Sequence, residues 1–498
     1  MIRSNPHLIE INARIFLNEM RQKYSMPDMS ISMIPDEEWL KFKHLGFDII
    51  WLMGVWKASE ISKSISMDED FLRNFVSKMN MDVSSISASP YSVLEYKLDD
   101  FFGFEWELKA LREKLNSFGM RLFLDFVSNH MAIDSNFSND CVDCFVCGDE
   151  SDYEKNKELF CTKKIINKTY YIAHGRDPNF PPWKDTIQLN YFNPLTRQRM
   201  IEELKKISEM CDGVRCDMVM LSLNDVFESV WGWLVYRKGY SKPEREFWQE
   251  AISEIKCLNP SFTFIAEVYW GLEWKLQQLG FDYTYDKVFY DRLKNLSADD
   301  VRGHLRAERL YQKKSVRFID NHDEEPSIKS FGDKKKSLAA SVMISTVRGL
   351  RFYHYFQLKG IPIRIPVQIA FFDVEKYKDI EIEKFYIKLL KIVDHPAFHG
   401  GEWELCDVYP LTPDNKTNKN IIAYKWTQMR TVKLVIVNYS AEISSGYVNI
   451  SFKAKSDTVI LYEEFSEIFF SYKADDVSEK FKIENMQPYS FYIFDYEF

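Results

Sequence analysis

No stretch of 18 uninterrupted apolar residues occurs in the chain, and that is the length a helix needs to cross a bilayer, so no membrane partner is expected. Met1 to Glu10 carries one arginine and no long apolar run; it does not read as a secretory signal, and the expected location is cytoplasmic. Positive charge is not in excess: 65 Lys and Arg stand against 74 Asp and Glu, a formal net charge of −9. That balance disfavours nucleic acid and anionic surfaces as partners. A glycine-rich loop that would cradle phosphate is missing, as are internal repeats and low-complexity segments. Clean metal-ligand spacing is missing too. Four of the eight cysteines, Cys141, Cys144, Cys147 and Cys161, lie close together, but not as the two Cys-x-x-Cys pairs of a structural zinc site. In a reducing compartment they read as free thiols.

What the chain does have is length, apolar content and rings. Its 498 residues are 46% hydrophobic and 28% charged, enough for a large core plus an accessory domain. The 12 Trp, 27 Tyr and 38 Phe amount to 15%. Rings in that number can fill a core and stack on the apolar faces of sugars.

One stretch organises the rest. Leu195 to Met210 has apolar residues at Met200, Ile201, Leu204, Ile207 and Met210, the spacing of an amphipathic helix. Asp212-Gly213 breaks it, and a short strand then ends on Arg215 and Asp217. Two residues apart in a strand, both side chains point to one face. An arginine beside a carboxylate keeps it ionised, as a nucleophile requires.

Around that stretch, strands and helices alternate. Strands are expected to begin at Leu8, Asp48, Arg121, Val214, Phe262, Phe281, Arg317 and Leu350, with helices over 35–44, 105–118, 195–210, 244–258 and 334–347. Eight strands with intervening helices predict a (β/α)8 TIM barrel, whose active site lies at the C-terminal strand ends. Residues 131–187, rich in Asn, Asp, Cys and Pro, break the rhythm after the third strand and read as an inserted, loop-rich subdomain. The barrel is therefore assigned to 1–130 and 188–399. From 400 to 498 short strands over 421–426, 432–438, 446–452, 458–462 and 490–494 predict an antiparallel β-sandwich.

Four strand ends carry chemistry. Asp125 to His130 places a carboxylate and an imidazole just past one strand, and Asp320-Asn321-His322-Asp323 ends another. Glu267 closes the apolar strand Phe262 to Ala266, a setting that raises a carboxyl's pKa toward that of a general acid. With Arg215 and Asp217, four ends converge on one mouth.

These stretches resemble the α-amylase superfamily of retaining α-glycosidases and transglycosylases, glycoside hydrolase family 13. Asp125-x-x-x-Asn129-His130 looks like its first conserved region and Gly213-x-Arg215-x-Asp217 its second. Glu267 resembles the third and Asn321-His322-Asp323 the fourth, in the family's order. The resemblance implies an α-glucan-active enzyme whose partner is an oligosaccharide or α-glucan. Asp217 would be the nucleophile, Glu267 the acid/base and Asp323 the third carboxylate. Arg215, His130 and His322 would orient the carboxylates and bind the sugar. Asp125 would support the site from beneath, and Tyr91 would stack on the sugar. Asn129 matches a family calcium ligand, so Ca2+ is the one cofactor the resemblance suggests, without acidic partners in the insertion. Other departures are Met220-Leu221, standing where the family has Lys-His, and Ser87-Ala88-Ser89 before Tyr91. Two other readings use the same residues: a transglycosylase or phosphorylase on the same site, and a non-catalytic glycan-binding barrel, whose signature would be degenerate carboxylates.

Overall fold

The computed structural model describes residues 2–450, 457–477 and 480–497. Eight parallel strands close into a barrel. They are β1 (His7–Asn12), β2 (Ile49–Met53), β3 (Arg121–Val127), β4 (Gly213–Asp217), β5 (Thr263–Ala266), β6 (Tyr283–Tyr285), β7 (Ser315–Arg317) and β8 (Leu350–His354). Sequential strands are neighbours, and β1 closes the ring by pairing with both β2 and β8. The residues explain why. Ile49-Ile50-Trp51-Leu52-Met53 is buried at every position, because a barrel strand is covered by side chains within and helices without.

Helix Pro194–Met210 illustrates a crossover. Asn193 accepts a hydrogen bond from the Leu195 N–H at 3.0 Å, and Pro194 presets the first turn. Met200, Ile201, Leu204, Ile207 and Met210 all face inward and are buried, as their spacing predicts. Asp212 then accepts from the Leu122 N–H and from Arg112 Nε, each at 3.0 Å, which pins the start of β4 to β3. Gly213 passes so close to its neighbours that a Cβ there would lie 2.6 Å from the Phe123 ring and from the Thr263 carbonyl oxygen. Gly213→Ala is therefore expected to destabilise the barrel by roughly 1–3 kcal/mol, seen as a lower midpoint in thermal or denaturant unfolding.

Differences from the sequence reading have physical causes. β7 begins at Ser315, before the expected Arg317, and ends at Arg317, because Phe318 to Asp320 leave the ladder. Asp320 turns to accept from the Ser327 N–H at 2.7 Å and to pair with His354 at 3.0 Å. Helices Glu60–Asp68 and Asp70–Lys78 lie where the sequence reading places no element, the second burying only Leu72 and Val76. So thin an apolar stripe leaves little period to read. Residues 131–187 are more regular than a loop: Cys147–Gly148, Phe160–Ile165 and Lys168–Ala173 form a three-stranded sheet.

Beyond the barrel, two antiparallel sheets of six and three strands stack as the expected sandwich. Strands Glu402–Cys406, Ile468–Lys473 and Lys480–Met486 add to those the sequence predicts. Phe452, at the end of one expected strand, lies outside the described residues. The sandwich is tied to the barrel by Trp426 Nε1, which donates to the Thr346 carbonyl at 2.6 Å, and by the Tyr439 hydroxyl on the Leu293 carbonyl at 2.6 Å. Among the described residues no helix is long and apolar enough to cross a membrane.

Candidate active site

At the C-terminal mouth of the barrel, β4 ends with Arg215 and Asp217 on one face, both buried. Arg215 is the hub. Its Nη1 lies 2.6 Å from Asp217 Oδ1, its Nη2 lies 2.8 Å from Glu267 Oε2, and Asp125 Oδ1 is 3.9 Å away. The guanidinium sits over the rings of Trp51, Tyr91 and Tyr285 at 5.2, 5.3 and 5.9 Å, contacts that favour a cation. Burial opposes the charge, but Glu267, the phenols of Tyr91 and Tyr285, and Asp217 hold Arg215 well above its ordinary value. A guanidinium this far from water therefore stays protonated.

Glu267 stands one residue past β5. Burial, then the charges of Asp217 and Asp323, push its carboxyl up to about 7, against the pull of Arg215 and of the Met218 N–H. That N–H donates to Oε2 at 2.8 Å, and the Tyr269 hydroxyl donates to Oε1 at 2.8 Å. Asp125 lies deeper in β3. Trp51 Nε1 donates to its Oδ1 at 3.2 Å and the Gly54 N–H to its Oδ2 at 2.9 Å; burial raises it to about 7, with Arg215 opposing. Gly54 can present that N–H because its φ is +80°, and a Cβ there would meet Pro90 at 2.6 Å.

The other wall is built on His322. Its Nδ1 is bonded to Glu10 within β1, and its Nε2 lies 2.9 Å from Asp323 Oδ2 and 2.9 Å from the Tyr91 hydroxyl. The Tyr91 ring stacks on it at 5.3 Å. Burial disfavours its charge, yet the carboxylates of Asp323 and Glu10 on either side raise its pKa well above the ordinary value, so it is a cation. Desolvation pushes the Asp323 carboxyl up, but His322 beside it, with Arg215 and Arg364 in support, holds it below the usual carboxylate range. The Asp323 side chain is 48% exposed, against 1% for Arg215 and 3% for Glu267. The site therefore opens to solvent at Asp323 and is floored by Arg215. His130 is kept neutral by burial. Its Nδ1 accepts from Asn129 Nδ2 at 3.3 Å, which leaves the Nε2–H to donate to the Tyr91 carbonyl at 3.1 Å.

All eight residues singled out for catalysis or sugar binding are thus gathered in one constellation. Asn129 stands behind it: its Nδ2 holds His130, and its Oδ1 accepts from Gln188 Nε2 at 2.9 Å. Among the described residues no three His, Cys, Asp or Glu side chains converge as metal ligands. The cysteines are free thiols; burial raises Cys144 and Cys147 to about 12, so they are not reactive thiolates. From the insertion, Trp183 reaches the site, 5.0 Å from the His130 ring. Gln188 and Tyr191 are instead buried beneath the loop, bonded to Asn129 and Ser128. Met220 and Leu221 are buried in the turn after β4. A cavity of about 890 Å³ lined by Phe16, Phe42, Tyr355 and Leu390 lies in the outer helix layer and includes none of these acids.

Sequence reasoning missed Glu10, Trp51, Tyr269 and Tyr285. Glu10 had a signal, a lone acid inside an apolar strand. Glu10→Gln removes one of the two carboxylates that keep His322 charged, and a hydrogen bond to a charged group contributes about 1.5–3 kcal/mol. The expected result is a kcat/KM lower by roughly ten- to a hundredfold, measured on an α-glucoside with the unfolding midpoint as control.

The sequence model of the family described as "Alpha amylase, catalytic domain" matches residues 38–360. Alpha-amylase MalA of Haloarcula japonica is 21% identical over 372 residues, 70% of this chain and 48% of that protein; the chain spans about half the length of this curated relative. Among solved structures, the maltogenic α-amylase AmyB of Thermotoga neapolitana superimposes with a TM-score of 0.67 at 19% identity, covering 99% of each chain. The α-amylase of Geobacillus thermoleovorans, complexed with acarbose, has a TM-score of 0.65 at 16% identity over 100% of this chain and 99% of its own. The debranching enzyme of Nostoc punctiforme has a TM-score of 0.67 at 15% identity over 99% of each. With the family's catalytic-domain model matching more than half of its length and its barrel closed as theirs are, this chain belongs to the α-amylase family.

Proposed function

We propose that the chain is an α-glucan-active retaining glycoside hydrolase that works through a β-glycosyl ester on Asp217. The observation that carries this reading is that one guanidinium, Arg215, grips Asp217 and Glu267 at its two ends. A retaining pair needs its carboxyl groups close, about 5–5.5 Å apart, one ionised and one protonated. Arg215 pairs with Asp217 at 2.6 Å, while Glu267, raised to about 7, holds its proton to higher pH than an ordinary carboxyl.

In the first step an Asp217 oxygen attacks the anomeric carbon as Glu267 gives its proton to the departing glycosidic oxygen. In the second, Glu267 takes a proton from water, which displaces Asp217 and restores both groups. Asp323 and the charged His322 hold the sugar's hydroxyls at the open side, and Tyr91 stacks on the ring. Asp125 keeps Arg215 in register from below. The intact acids Asp217, Glu267 and Asp323 speak against a barrel that merely binds glycan.

The test is product analysis with maltooligosaccharides and with sucrose, each with and without phosphate. Shorter oligosaccharides released first as the α-anomer are expected. Release of the β-anomer would overturn the retaining step; longer oligosaccharides would identify a transglycosylase, and glucose 1-phosphate a phosphorylase.

A further inference from the structure

The two oxygens of Glu267 sit in unlike places. Oε2 accepts from the Met218 N–H and faces Arg215 Nη2, both at 2.8 Å. Those groups can only donate, so a proton on Oε2 would point at other protons. Oε1 meets the Tyr269 hydroxyl at 2.8 Å, and a hydroxyl can either donate or accept. We infer that Tyr269 is a positioning residue for the acid/base step, holding the mobile proton on Oε1, the oxygen not committed to β4. The inference rests on the reading of Glu267 as the acid/base.

The backbone on both sides is shaped for this. Met218, directly after Asp217, is left-handed at φ 43 and ψ 47, a conformation that is strained for a non-glycine residue. It aims the amide at Oε2. Two residues after Val268, Trp270 and Gly271 are also left-handed, at φ 66 and 73. They reverse the chain immediately after Tyr269, leaving Trp270 44% exposed at the rim and the Tyr269 hydroxyl on Glu267. Two unusual turns on adjacent strand ends thus serve one carboxyl.

When Glu267 is ionised, Tyr269 donates to Oε1. When Glu267 is protonated, the Oε1 proton lies toward the phenol oxygen until a glycosidic oxygen takes its place. The other charged or titratable groups facing this carboxyl are Arg215 and Asp217 from β4, Asp323 from the loop after β7 and Tyr285 from β6. None of them is bonded to Oε1.

Tyr269→Phe removes a donor that favours the charged form, so Glu267 should hold its proton to higher pH. The basic limb of kcat/KM is expected to move up by about one pH unit. The rate on maltooligosaccharides should fall roughly tenfold, while that on 2,4-dinitrophenyl α-glucoside, whose leaving group needs no proton, stays within about twofold. Incorporation of 3-fluorotyrosine at position 269, which keeps the shape and strengthens the donor, should move the limb down instead. An unmoved basic limb in both proteins, or equal losses on both substrates, would overturn the inference. Wild type without activity on either substrate would instead overturn the function reading on which it rests.

Discussion

Asp217→Asn is expected to abolish turnover while leaving the fold in place. The amide keeps the shape of the carboxyl and can still accept from Arg215 Nη1, now 2.6 Å from Oδ1. It cannot form the glycosyl ester, because its nitrogen lone pair is delocalised into the carbonyl and its neutral oxygen is a poor nucleophile. Loss of a covalent nucleophile costs on the order of 10⁴–10⁶ in kcat. The fold survives because Arg215 retains Glu267 at 2.8 Å and its three aromatic faces, so the guanidinium is not left as an uncompensated buried charge. Two measurements check this: kcat on maltooligosaccharides, and mass spectrometry after treatment with a fluorinated glycosyl fluoride that forms the ester but releases it slowly. Wild type should gain one sugar mass on the peptide carrying Asp217, and the variant none. Wild-type rates in the variant, or labelling on another residue, would rule out Asp217 as the nucleophile.

The barrel was legible because its strands are apolar on both faces and their ends are not. In a run such as Arg121-Leu122-Phe123-Leu124-Asp125, or Phe262 to Glu267, an acid is the exception, and the exceptions fell at the mouth. Arg215, Asp217, Asp125, Glu267, His130, His322, Asp323 and Tyr91 could all be picked out that way, or by the family pattern they form. What stayed hidden depends on three-dimensional facts that residue types do not carry. Trp51 and Tyr285 read as core, and they are buried, but their faces lie against Arg215. Tyr269 and the Met218 amide matter only because the backbone turns left-handed at 218 and at 270–271. The hairpin Phe160–Ile165 with Lys168–Ala173 is hidden within the insertion, since its residues Thr162, Lys164 and Lys168 face solvent and break the apolar alternation a strand is known by.

Glu267→Gln separates acid catalysis from everything else the site does. A glutamine has no proton to give, so bonds with poor leaving groups should break roughly 10²–10⁴-fold more slowly. Aryl glucosides with activated leaving groups should still form the ester at near-normal rate. Their turnover then stalls, because no base remains to activate water, and a burst followed by slow release is expected. Azide, which needs no base, should restore turnover and give the α-glycosyl azide. The variant should also lose the basic limb of the pH profile, since the group that titrates near 7 is gone. The same carboxyl predicts a change in stability. Its folded pKa of about 7 lies above its ordinary value of 4.5, so the folded chain binds more protons there and stability falls as pH rises through that window. At pH 8 the ionised group costs at most about 3 kcal/mol, with the attraction of Arg215 already included. Glu267→Gln should therefore gain stability relative to wild type at pH 8 and little at pH 4. Equal activity losses on good and poor leaving groups, with no rescue by azide, would mean that Glu267 binds substrate rather than moving a proton.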